Sequence, residues 1–124
     1  MTSHYFPLQV DQETGEASEK SITTWMAAET LDTAIKGKFD VVVIVAGDGE
    51  YKHLVSKLHS HGIRVMVIGW NIQYEAETQY GVKNRYIKTS QALMDECTYP
   101  VWLDRIIEQG METNDRLVQN LFNF

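Results

Sequence analysis

Apolar positions along the chain come in two kinds of run, one at helical spacing and one continuous. Between Ser21 and Lys36, Ile22, Trp25, Met26 and Ala28 start a stripe that Leu31, Ala34 and Ile35 continue, and Gly37 follows as a stop. That spacing predicts a helix over 21–36. Phe39 to Ala46 is continuously apolar after Asp40 and rich in β-branched residues, the pattern of a strand covered on both faces in a parallel sheet. Gly47-Asp48-Gly49-Glu50 reads as a turn. Tyr51 to His61 returns to helical spacing, with Tyr51, Leu54, Val55 and Leu58 on one face and Gly62 closing it. Ile63 to Ile68 is a second buried strand. Strand, helix, glycine and strand predict a right-handed βαβ unit.

The flanks are less regular. Tyr5 to Val10 is apolar but broken by Pro7, which suits an edge strand or an extended lead-in, and Asp11 to Glu19 reads as an exposed loop. Asn71 to Lys83 is polar and is expected to be a loop with a short helical piece. Arg85 to Thr89 is expected as a third, shorter parallel strand, and Ser90 as the N-cap of a helix through Cys97. Pro100 interrupts. Trp102, Leu103, Ile106 and Ile107, then Leu117, Val118, Leu121 and Phe122, give the tail helical spacings with a break at Gly110. Such a tail either closes the core or forms a self-association surface.

With 124 residues and 14.2 kDa, the chain suits one domain. A hydrophobic fraction of 44% and a charged fraction of 23% exclude disorder of the whole chain. The longest apolar run, Val41 to Ala46, falls far short of the roughly 20 residues of a membrane span. The N-terminus shows no secretory pattern, so a cytoplasmic location and no membrane association are expected. A single cysteine, Cys97, excludes an intrachain disulfide and a cysteine-based zinc site, and reads as an inert buried thiol. The net charge of −6 argues against a simple nucleic-acid glove, but its distribution is uneven. Residues 1–50 hold three basic and nine acidic side chains, residues 51–90 hold six and two, and residues 91–124 hold two and six. Ordinary surface variation explains this; so does an acidic metal site beside a basic strip that holds a polyanion.

Candidate chemistry converges on the end of the main strand. Asp48 and Glu50 follow its carboxyl end, where open α/β sheets bind ligands. Gly47 and Gly49 flank Asp48 and let the backbone turn sharply. Glu29 lies seven residues after Ile22, four after Trp25 and three after Met26, so it either shares their face or reaches water at its rim. Gly47-x-Gly49 lacks the third glycine and the Lys-Ser or Lys-Thr of a phosphate loop. Hard oxygen ligands instead suit Mg²⁺ or Mn²⁺. His53, His59 and His61 have no strong metal-ligand spacing and read as surface helix residues. Lys52, Lys57, Arg64, Lys83, Arg85 and Lys88 supply the middle charge, individually as a solvated rim and collectively as a guide for RNA. Trp25 and Trp102 read as core, and Trp70 as a packed, rim or base-stacking residue.

At these residues the sequence resembles the NYN family, a branch of the PIN-like nucleases that includes the LabA-like bacterial proteins. The similar stretch runs from about Glu19 to Thr89. Ala46-Gly47-Asp48-Gly49-Glu50-Tyr51 stands where members carry Ser-Gly-Asp-Gly-Asp-Phe, followed by His61-Gly62 and Val67-Ile68-Gly69. Upstream, Lys20 matches a family lysine, Thr23 stands at a family aspartate, and Glu29 at a second one. The family's first strand with its Asp-x-x-Asn motif has no counterpart here, so the chain begins at the family's second strand, near Tyr5.

The resemblance implies an α/β, PIN-like three-layer fold with a mostly parallel central sheet, N-terminally reduced, and a C-terminal helical tail. Residues 1–98 would form the domain and 99–124 a helical extension on the domain or on a partner. It also implies a Mg²⁺- or Mn²⁺-dependent ribonuclease acting on single-stranded RNA. Asp48, Glu50 and Glu29 would be the catalytic and metal-binding residues, and Lys20, Lys52 and Thr23 would contact RNA. The missing strand would lie upstream in a longer gene, or come from a homodimer or a partner chain, or be lost in a reduced, inactive relative. The alternative is a catalytically degenerate module that binds RNA or a protein partner. A flavodoxin-like or receiver-like domain with another ligand is the more distant third.

Overall fold

The computed structural model describes residues 9–10, 17–18 and 22–122. At the N-terminal side, β1 (Gln9–Val10) pairs antiparallel with β2 (Ala17–Ser18), so the segment expected as a loop contains a short strand. The rest of the Tyr5–Val10 expectation lies outside the described residues. Helix α1 (Ile22–Lys36) agrees with the apolar stripe, and places Met26, Ala27, Leu31 and Ala34 against the core.

The βαβ unit forms as its pattern predicts. Strand β3 (Val41–Val45) leads through a single 3-10 turn, Gly49–Tyr51, into α2 (Lys52–Ser60) and then β4 (Arg64–Gly69). Gly62 ends the helix at a φ of 73°, a left-handed conformation that favours glycine. The two strands are parallel, with Val42 opposite Val65 and Ile44 opposite Val67. Paired residues share a face, and these four meet Leu54, Val55 and Leu58 of α2. Leu58, Val55, Val65 and Val67 are fully buried, each contributing about 1.5–3 kcal/mol of burial.

Beyond β4 the structure corrects the sequence reading. Strand β5 (Asn71–Thr78) replaces the expected loop, and β6 (Gly81–Lys88) pairs with it antiparallel, so Arg85–Thr89 is no parallel strand. The two form a ribbon separate from the main sheet. Helix α3 (Gln91–Glu96) follows, with Ser90 at its N-cap position but no side-chain cap bond. The third parallel strand is β7 (Tyr99–Trp102), which pairs with β4 and carries Pro100 within it. Tyr99 to Trp102, expected to open a helical extension, therefore belongs to the sheet.

Two helices end the described chain, α4 (Leu103–Glu112) and α5 (Arg116–Leu121). Gly110 does not break the tail. It is buried inside α4, where a β-carbon would run into Val118 of α5. The break falls instead at Thr113–Asn114, and Asp115 caps α5 by accepting from the amides of Leu117 and Val118. No described helix is long and apolar enough to cross a membrane.

The core cluster draws on α1, α2, α3 and one face of the β3-β4-β7 sheet. On the other face Val43 is 54% exposed and Val45 59%, and among the described residues no strand pairs with the outer edge of β3. The mixed α/β architecture is the one expected, a parallel three-stranded sheet with helices against it and a helical C-terminal tail. Trp102 packs against that core, as expected, and Cys97 is a buried free thiol. Burial pushes that thiol's pKa up, which keeps it protonated at neutral pH and poorly nucleophilic.

Candidate functional site

The turn after β3 is built around Asp48. Its backbone is extended, at φ −75° and ψ 125°, and its side chain caps the 3-10 turn. Oδ1 accepts from the Glu50 amide at 2.9 Å, and Oδ2 accepts from Thr23 Oγ1 at 3.1 Å. The first bond is local. The second ties the start of α1 to the carboxyl end of β3, and Tyr51, buried, reinforces it by donating from its hydroxyl to Met26 Sδ at 3.3 Å.

The glycines act through space rather than through a sharp turn. Neither Gly47 nor Gly49 has a positive φ. A β-carbon on Gly49 would lie 2.8 Å from Ser90 Oγ, so a larger residue there would displace the Ser90 side chain from the turn. Ser90 is held there by its amide, which donates to Gly47 O at 3.0 Å. Just behind it, Thr89 is fully buried, and its Oγ1 accepts from the Trp70 amide at 2.9 Å.

A shallow groove results, lined by Asp48, Gly49, Glu50, Lys52, His53, Ser90 and Ala92. Asp48, Glu50, Lys52 and His53 are exposed. Two carboxylates, an ammonium, an imidazole and a hydroxyl thus share one wall-to-wall space open to solvent. The structure brings Asp48, Glu50, Lys52 and Thr23 together from the residues singled out by sequence. Lys20 lies outside the described residues. Glu29 lines a different groove, with Thr30, Thr33, Ala34, Phe39 and Val42. It is six residues, roughly 9 Å of helix axis, beyond Thr23, and it is exposed, so it reaches water rather than a buried sheet-facing position.

Among the described residues, no three His, Cys, Asp or Glu side chains gather into a metal-binding group. The donor set around Asp48 suits only a cation that draws few of its ligands from protein. Magnesium is commonly held by one or two carboxylates, with water and substrate phosphate completing its oxygen shell. Asp48 and Glu50 supply that minimum, and the Thr23 hydroxyl beside Asp48 is a neutral donor.

Two further groove residues read differently from sequence, His53 as a surface helix residue and Ser90 as a helix N-cap. His53 stands three after Glu50, a helical neighbour spacing that placed it within reach of the turn. Ser90 arrives through a tertiary contact with Gly47 and left no local signal. His59 and His61 take no part in this groove. His59 Nε2 instead lies 2.9 Å from Thr98 Oγ1, at the start of β7.

Comparison with known proteins adds one finding. A model of a protein family, the NYN domain, matches residues 1–104. No curated protein and no solved structure matches the chain.

Proposed function

The chain belongs to the NYN domain family, a PIN-like domain of nuclease type, and from that premise we propose that it is a metal-dependent ribonuclease acting at the Asp48 groove. One observation carries the reading: two carboxylates stand together with a lysine and a histidine at the carboxyl end of the main strand. Asp48 and Glu50 would hold Mg²⁺ or Mn²⁺. Such an ion supplies charge neutralisation at the phosphodiester and acidifies the attacking water.

The remaining work falls to the chain's own side chains. Thr23 Oγ1, by donating to Oδ2, fixes the Asp48 carboxylate in one orientation. The Glu50 amide on Oδ1 does the same from the other side. Lys52 attracts and positions the RNA phosphate from the groove's edge, and Ser90 offers a hydroxyl to the same space. Glu29, exposed in a separate groove, is given no part in holding the ion here. A strand donor, a second copy or a partner chain, would add at the outer edge of β3. Cys97, free and buried, suits a reducing compartment such as the cytoplasm.

A second reading has its own observation. The neighbour of Asp48 on α1 is the neutral Thr23, and among the described residues no third carboxylate joins Asp48 and Glu50, which favours a module that binds RNA or protein without cutting. Labelled single-stranded RNA incubated with Mn²⁺, with Mg²⁺ and with EDTA separates the two. Metal-dependent cleavage is expected, with Asp48→Asn reducing it at least 100-fold, about 2.7 kcal/mol of barrier. Folded wild type that leaves the RNA intact in both metals would establish the binding module instead.

A further inference from the structure

The β5–β6 ribbon takes no part in the core. Its pairing is in register from Asn71 opposite Lys88 to Thr78 opposite Gly81. Eight residues per strand give a length of roughly 26 Å. Every residue of β6 is exposed. An isolated two-stranded ribbon is marginal in water, yet this one holds Tyr80 at 80% exposure and Tyr86 at 66%.

The ribbon springs from the rim of the Asp48 groove. It leaves at Trp70, directly after β4, and returns at Thr89, one residue before groove-lining Ser90. Two bonds clasp its base: the Thr89 amide donates to Trp70 O at 2.8 Å, and the Trp70 amide donates to Thr89 Oγ1. A β-carbon on Gly69 would lie 2.6 Å from Thr89 Oγ1, so the two chain ends meet without slack. On the other side of the base, the Asn71 amide donates to Asp104 Oδ1 of α4 at 3.0 Å.

Register sorts the side chains by chemistry. Gln73, Glu75, Glu77 and Tyr86 share one face. Tyr74, Lys83 and Arg85 share the other, with Tyr74 directly opposite Arg85. Both carboxylates of the ribbon thus lie on one side and two of its three cations on the other. Lys83 and Arg85 make no salt bridge with a described residue. Lys83 Nζ sits over the Tyr80 ring, 5.6 Å from its centre, at the ribbon's tip. In a chain of net charge −6, a carboxylate-free face that interleaves cations with exposed rings is a local departure.

We propose that this face is a binding arm for single-stranded RNA, delivering the strand to the groove at its base. Lys83 and Arg85 take phosphates, and Tyr74 and Tyr80 stack on bases, the combination that holds single strands without sequence preference. Paired bases offer no free faces to stack on, so duplex RNA is the weaker ligand. The inference rests on the RNA reading of the Asp48 groove and adds where the rest of the strand lies.

Binding is measured in EDTA, by fluorescence anisotropy of a labelled oligouridine, so that no cleavage is needed. Lys83→Glu with Arg85→Glu is expected to weaken binding at least tenfold and to reduce the salt slope by about 1.4, for two phosphates lost. Tyr74→Ala with Tyr80→Ala is expected to weaken it by about tenfold. Tyr86→Ala, on the opposite face, is expected to leave it unchanged. Circular dichroism of each variant confirms that the fold persists. Equal affinity in wild type and both double variants, equal loss in Tyr86→Ala, or no RNA bound by wild type would each overturn the arm. Cleavage in Mn²⁺, read on the same proteins, keeps the two ideas apart. Cleavage with KM unchanged in the ribbon variants would sink the arm and leave the nuclease standing. Binding through the arm without cleavage would do the reverse.

Discussion

Thr23 is the residue on which the chemistry of the groove turns. Its hydroxyl donates to Asp48 Oδ2, so the neighbour of that carboxylate is a neutral donor and not a charge. Thr23→Asp would put like charges side by side and is expected to cost roughly 1 kcal/mol of stability in EDTA. Adding Mn²⁺ would then offset the repulsion, and a ligand that binds only the folded state raises stability by about 2.7 kcal/mol at a hundred times its Kd. Thermal melts of both proteins across a Mn²⁺ series check this. An equal Mn²⁺ shift in the two would show that a cation, if it binds, does so away from Asp48. Asp48 itself was legible in the sequence, because a carboxylate at the end of a buried strand is announced by the strand. The separation of Glu29 from it was not. Helical spacing fixes which face a residue takes but not where along the sheet that stretch of helix lies, and Glu29 sits by Phe39 and Val42 rather than by the turn.

At the scale of elements, β3 shows how a continuous apolar run can mislead about its surroundings. Val41–Val45 reads as a strand covered on both sides, yet Ile44 is 2% exposed while its neighbour Val43 is 54%. Ile44→Ala is therefore expected to cost about 2–5 kcal/mol. Val43→Ala is expected to stay within about 0.5 kcal/mol. Urea denaturation of both variants tests the contrast, and a matching loss at Val43 would mean that its face is covered in solution. Elements built from local pattern alone, α1, β3, α2 and β4, were legible for that reason. The ribbon was not, because its alternation sets polar residues against tyrosines, two isoleucines and a valine that all remain exposed, so neither face looks buried. Strand β7 hid behind Pro100 and four residues of length; its place is decided by pairing with β4, which no window of sequence contains. Gly110 looked like a break and is a contact, made necessary by Val118 of the next helix.

Across the whole molecule, the structure divides into a packed body and an arm joined to it at its base, by the Trp70–Thr89 bonds and by the Asn71 bond to Asp104. The body holds its core between α1, α2, α3 and one face of the sheet, while the opposite face and the outer edge of β3 stay open among the described residues. The clasp between Trp70 and Thr89 lets the arm come apart without disturbing that core. Its opening is thus a local event, and its free energy is only a fraction of that of global unfolding. Amide hydrogens report such a division on the scale of time. Those of β4, and the β3 amides that face it, are expected to exchange with solvent only when the whole body unfolds, and those of β5 and β6 long before. Peptide-resolved deuterium uptake would read the difference, and equal protection in the two regions would deny it. With RNA bound, the arm's amides would slow while those of the body kept their pace, so the arm carries its own clock.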